Sequence, residues 1–210
     1  DLLIELDPTI NKADQGHLQA DLMAAELDLF RLRALTSDAS DVLSTFNPPA
    51  GAPQNLVATQ RQLLTSQASE QRAKMAALDQ QKAQREADHA TILATINKLN
   101  ATIPILQQRV EIRKILYDHE TGLKANYLEL EQALVEMQQD LPVEQSKLKQ
   151  SEAALSAIVE TRAQSASEFQ RTMLAQLSDV ETKASGLRHD LDKVNEKAKL
   201  QLWRAPAEGT

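Results

Sequence analysis

The chain has 210 residues, a net charge of −7, 3% aromatic residues, five glycines and no cysteine. So few bulky rings cannot fill a thick globular core, and the abundant Ala, Leu, Gln, Glu, Lys and Ser are residues of long helices. The acidic balance argues against duplex nucleic acid and anionic membrane surfaces, the missing cysteine excludes disulfides and thiolate metal sites, and no apolar run approaches the roughly 20 residues that cross a bilayer.

Residues 1–7 read as the end of a β-strand leading into a helix start. Asp7 offers a side-chain acceptor to the free N–H groups of the first turn, and Pro8 needs no donor there. Helix 1, over 8–36, carries Leu18, Leu22, Ala25, Leu29 and Leu32 at alternating spacings of four and three, a coiled-coil seam. Residues 37–56 contain Asn47-Pro48-Pro49-Ala50-Gly51-Ala52-Pro53, whose prolines remove backbone donors and clash with a preceding turn, so they form a linker.

Helix 2 spans 57–119. Its seam is mostly apolar, but Lys82, Arg85 and His89 follow one another along it, which predicts a wetter and weaker stretch in mid-helix. Residues 120–123, Glu120-Thr121-Gly122-Leu123, break the pattern and form the tip of an antiparallel hairpin. Helix 3, over 124–202, carries Tyr127, Leu134, Leu141, Leu148 and Leu155 at strict sevens. The frame resumes at Ala166, a four-residue stutter that locally unwinds a supercoil. Pro104 and Pro142 fall at nearly the same height in such a hairpin, and each is expected to remove a hydrogen bond and bend its helix. Residues 203–210 read as a second strand remnant.

Helix 3 outlasts helix 2 by roughly 15 residues, or about 25 Å at 1.5 Å per residue. Helix 1 is expected to cover that excess, antiparallel to helix 3, with the linker crossing where helices 1 and 2 overlap. The fold class is therefore all-α: a long antiparallel coiled-coil hairpin with a shorter third helix packed near its base and β-strand remnants at both termini.

Little here supports catalysis. His17, His89, His119 and His189 are scattered, with no His-Glu-x-x-His spacing for zinc, no Gly-rich phosphate loop and no nucleophile elbow. Neither a metal nor a cofactor is expected. The tip is more informative. Arg113, Leu116 and Tyr117 enter the turn and Leu123 and Lys124 leave it, so apolar groups collect where the hairpin has least of itself to bury them. Leu116 and Tyr127 are expected to pack the last turns together. Leu123 and Tyr117, pointing along the axis, are candidate partner contacts, with Arg113 and Lys124 adding charge around them.

Leu3-Ile4-Glu5-Leu6-Asp7-Pro8-Thr9 at one end and Trp203-Arg204-Ala205-Pro206-Ala207-Glu208-Gly209-Thr210 at the other resemble the edges of a lipoyl-like β-domain interrupted by a helical hairpin. That is the plan of the haemolysin-D-like membrane fusion proteins, the periplasmic adaptors of bacterial type I secretion. The stretches Arg109-Val110-Glu111-Ile112-Arg113 and Tyr127-Leu128-Glu129-Leu130-Glu131 are similar to the protease and lipase exporter branch. Adaptors that dock on TolC-like channels carry Arg, Leu and Ser at spacings of four and seven near the tip. Leu116 stands at the Leu of that pattern, Ile112 at the Arg and Leu123 at the Ser, with Arg113 one residue out of register.

The resemblance implies a non-enzymatic, periplasmic adaptor anchored to the inner membrane through a segment outside the chain. It implies an inner-membrane ABC transporter and a TolC-like outer-membrane channel as partners, self-assembly into a ring of six copies, and a secreted protein as cargo. On this reading the chain is a helical-domain fragment of a longer protein. The alternatives are an adaptor of a tripartite drug-efflux pump and a structural coiled-coil spacer. Helix 1 with its Pro-rich linker favours secretion over efflux, and pairing of the two strand-like ends distinguishes an adaptor from a spacer.

Overall fold

The structure, a computed structural model, describes residues 2–5, 9–37, 41–200 and 202–204. Asp7, Pro8 and residues 205–210 lie outside the described residues. In order, the elements are β1 (Leu2–Glu5), α1 (Thr9–Thr36), α2 (Gln54–Asp118), α3 (Lys124–Leu200) and β2 (Leu202–Arg204). The chain divides into two compact units, Asp1–Ala73 with Ala166–Thr210, and Lys74–Ser165.

In the first unit β1 and β2 pair antiparallel, with Ile4 opposite Trp203 and Glu5 opposite Leu202. The two strand-like ends thus meet in one small sheet. Helix α1 runs antiparallel to α3: Gln15 bonds Asn195, Glu26 pairs with Arg188 and Arg33 with Glu181. It runs parallel to the start of α2, where Asp28 meets Gln60 and Arg31 meets Gln67. The helices and the linker share one apolar core that includes Leu27, Leu32, Leu35, Phe46, Leu64 and Met173. Phe46, from the linker, is the plug that the expected crossing requires, and it is buried.

One expectation about α1 is corrected. A single seam through Ala25, Leu29 and Leu32 is buried, but so are Leu27, Arg31 and Ala34, which lie off it. The last part of α1 is enclosed nearly all round because α2, α3 and the linker each cover a different face. Arg31 can be there because each of its three guanidinium nitrogens donates a hydrogen bond: Nε to Gln60 Oε1 at 2.7 Å, Nη1 to Gln67 Oε1 at 2.6 Å and Nη2 to Asp28 Oδ1 at 3.1 Å. Buried charge is tolerated when such geometry replaces water.

Helix α2 begins at Gln54, earlier than the expected residue 57. Proline ends the linker rather than delaying the helix: the Pro53 carbonyl accepts the Val57 N–H at 3.1 Å and closes the first turn. At the other end α3 stops at Leu200, short of the expected 202, where Leu202 is taken up by β2.

The second unit is an antiparallel pair of helices. Asp79 pairs with Arg162, and His89 Nε2 lies 3.9 Å from Glu152 Oε1. Both contacts fix the same register, centred on the turn at Glu120 and Thr121. Ile96, Ile103 and Leu106 are buried in its seam. Between Ala68 and Ile96 no residue of α2 is buried, so the stretch through Lys82, Arg85 and His89 is the wetter zone that the sequence predicts. There Lys82 pairs with Glu86 and Arg85 with Asp88 along their own helix. An open groove of about 480 Å³ follows it, lined by Gln81, Gln84, Arg85, Ala154, Ala157 and Ile158. Pro104 and Pro142 sit inside α2 and α3, which continue through them.

Candidate functional site

The tip is built by the way α2 ends. Four carbonyls at a helix C-terminus lack partners, and here the Thr121 N–H reaches back to Leu116 O at 3.0 Å while the Glu120 N–H reaches Tyr117 O at 3.0 Å. This is the Schellman pattern, which requires a left-handed residue between helix and exit. That residue is Glu120, with φ 60°. The nearby Gly122 has a different role: a Cβ there would stand 3.3 Å from the Leu116 backbone and from the Tyr117 nitrogen. Glycine lets the chain cross close over the end of α2 before it turns into α3.

Helix α3 then starts without a side-chain cap. Leu123 occupies the flanking position where Ser, Thr, Asp or Asn would accept a first-turn N–H. Its own carbonyl accepts the Asn126 N–H at 3.2 Å. The leucine side chain makes no such contribution and is the most exposed of the large apolar residues at the tip, at 72%.

The expected site residues divide into three kinds. Leu123 and Leu116 present apolar surface, with Leu116 at 37% on the edge between the seam and solvent. Tyr117, expected to point along the axis, instead stacks on Tyr127, with ring centroids 6.2 Å apart and planes inclined by 6°. It is 36% exposed and so both closes the hairpin and stays partly open to solvent. Arg113 and Lys124 are exposed, and no ion pair among the described residues involves either. Tyr127 donates its hydroxyl hydrogen to Glu131 Oε1 at 2.8 Å, and that acceptor holds the phenol above its ordinary pKa.

Ile112, Ile115 and Leu128 also expose more side chain than Leu116 does. The sequence places them beside the turn, but their outward direction follows only from the register of the two helices. Among the described residues no group of His, Asp and Glu side chains is placed to hold a metal ion, and no helix is long and apolar enough to cross a membrane. What the tip can do chemically is present apolar and cationic surface on a rigidly capped turn.

The AprE long α-helical hairpin family matches residues 11–197. The chain belongs to that family. Leukotoxin secretion protein D of Mannheimia haemolytica is 30% identical over 126 residues, which are 60% of this chain and 26% of that protein. The soluble domain of LipC, a membrane fusion protein of a type I secretion system, has a TM-score of 0.87 over 99% of this chain and 79% of that one, at 18% identity. The likeness to LipC is one of fold. By their names, both of these proteins are secretion components.

Proposed function

We propose that this AprE-family hairpin is the helical part of a membrane fusion protein of type I secretion, joining an inner-membrane ABC transporter to a TolC-like outer-membrane channel in the periplasm. Its tip residues Arg113, Leu116, Tyr117, Leu123 and Lys124 contact the channel. The inner-membrane anchor lies outside residues 1–210, the working assembly is a ring of six copies, and the cargo is a protein.

The observation that carries this reading is Leu123. It is an exposed leucine at a helix-start position where a polar cap would be more stable, on a turn held by three hydrogen bonds to the end of α2. A surface that forgoes local stability to show an apolar side chain is suited to a partner. The pairing of β1 with β2 supports it as well, since it joins the two ends of the chain as a hairpin inserted in a β-domain requires. Capture of the tagged full-length protein from cross-linked cells tests the reading: an ABC transporter and an outer-membrane channel are recovered together, whereas recovery of neither contradicts it.

A further inference from the structure

The one strained backbone position at the tip is held by a glutamate. Among the described residues Glu120 alone, glycines apart, has a positive φ, at 60°. An L side chain there crowds the backbone, and glycine avoids the cost. The chain has a glycine two residues on, but Gly122 answers the close approach to Leu116 and has no positive φ.

The charge is placed as unfavourably as the backbone. The C-terminal end of a helix carries partial negative charge and favours cations in its last turn. Helix α2 has no basic residue in its last turn, and Asp118 closes it two residues before Glu120. The side-chain hydrogen bonds at the tip run from Thr121 to the Leu116 carbonyl and from Tyr127 to Glu131, and neither reaches the Glu120 carboxylate. No ion pair among the described residues involves it, with Lys114 and Lys124 the lysines nearest in sequence. Glu120 is exposed at the apex, three residues from Leu123.

We infer that the Glu120 carboxylate is a further partner-binding group of the tip and takes a cationic side chain, Arg or Lys, on the surface that receives Leu123. This pairing rests on the channel reading of the tip and adds the chemistry of the surface met there: an apolar seat with a basic group beside it. Strained residues persist where the surroundings hold them for a function, and here nothing within the chain gives glutamate an advantage over glycine. A guanidinium or ammonium brought to the apex forms a charge-assisted hydrogen bond with an acceptor that the chain leaves to water. It also offsets the negative potential that Asp118, Glu120 and the end of α2 build together, which a neutral donor does not do.

Two substitutions separate the carboxylate from the backbone that carries it. Glu120→Gln keeps the shape, the positive φ and an acceptor oxygen while removing the charge; Glu120→Gly also relieves the backbone. Purified full-length protein, unaltered or carrying Glu120→Gln, Glu120→Gly or Leu123→Asp, is titrated with the outer-membrane channel that co-purifies with the unaltered protein. Both Glu120 variants are expected to bind about tenfold more weakly, and added salt weakens the unaltered protein more than Glu120→Gln. For Glu120→Gly the loss coincides with slower hydrogen exchange at the Thr121 amide, an opposition that a purely structural role does not produce. Glu120→Gln binding as tightly as the unaltered protein, while Leu123→Asp has lost binding, overturns the inference and leaves the tip reading standing. Binding that survives both substitutions, or recovery of no channel at all, contradicts the tip reading and this pairing with it.

Discussion

Thr121 gives both its backbone N–H and its hydroxyl to the Leu116 carbonyl, each at 3.0 Å. One residue thus holds the end of α2 twice, and the turn that follows starts from a fixed point. The same arrangement forces Glu120 into the left-handed region. An L-residue there costs about 1 kcal/mol that glycine does not. Glu120→Gly is therefore expected to stabilise the tip by about 1 kcal/mol, read as slower hydrogen exchange at the Thr121 amide.

Arg31 is the charged group with most to lose. Its partners Gln60, Gln67 and Asp28 sit on two helices, and Arg31→Ala leaves the Gln60 and Gln67 amide oxygens without this donor and Asp28 with the Gln60 amide alone. Hydrogen bonds to charged groups contribute about 1.5–3 kcal/mol. A loss of about 2–3 kcal/mol in urea unfolding is expected for the first unit, accompanied by weaker protection of α1.

Ser165 behaves in the opposite sense. It is buried at 6%, and its hydroxyl has no hydrogen-bond partner. Burying an unsatisfied polar group is unfavourable. Ser165→Ala is expected to raise stability by about 1 kcal/mol in thermal unfolding.

Much of this architecture is legible in the residues. The four-and-three spacing from Leu18 to Leu32 and the sevens from Tyr127 to Leu155 state helices with seams, and the excess length of helix 3 calls for α1 beside it. Glu120-Thr121-Gly122-Leu123 marks the turn because nothing in it continues a heptad. The cap itself was not legible, since glycine at 122 is the natural choice for a left-handed residue and only backbone hydrogen bonding assigns that role to Glu120. Arg31 was hidden for a related reason. One helix period describes one face, and α1 is covered on several. The stacking of Tyr117 and the exposure of Ile105 and Ile112 depend on which helix stands opposite at a given height, a long-range relation that local periodicity does not contain.

The tip also has a measurable titration. Because the Glu131 carboxylate accepts the Tyr127 hydrogen, the neutral phenol is favoured in the folded chain and its pKa lies above the ordinary 10.0. The folded value exceeds the unfolded one, so this contribution to stability is complete below pH 10.0 and is lost as pH rises through the raised folded value. With Tyr117→Phe, Tyr127 is the one remaining tyrosine. Its tyrosinate absorbance should appear above the ordinary range, and Glu131→Gln should move it back down.

The account rests most on the exposed leucine that begins α3, and Leu123→Asp separates its local effect from its effect on a partner. Aspartate is a good cap and suits the positive end of the helix dipole, so the substitution should stabilise the start of α3 by about 1 kcal/mol. It also places a carboxylate on the surface proposed to meet the channel. The decisive measurement is recruitment of the outer-membrane channel by the full-length protein carrying Leu123→Asp, beside Leu116→Ser and the unaltered protein. Helical content unchanged and recruitment lost is the predicted result; recruitment at the unaltered level would contradict docking through the tip.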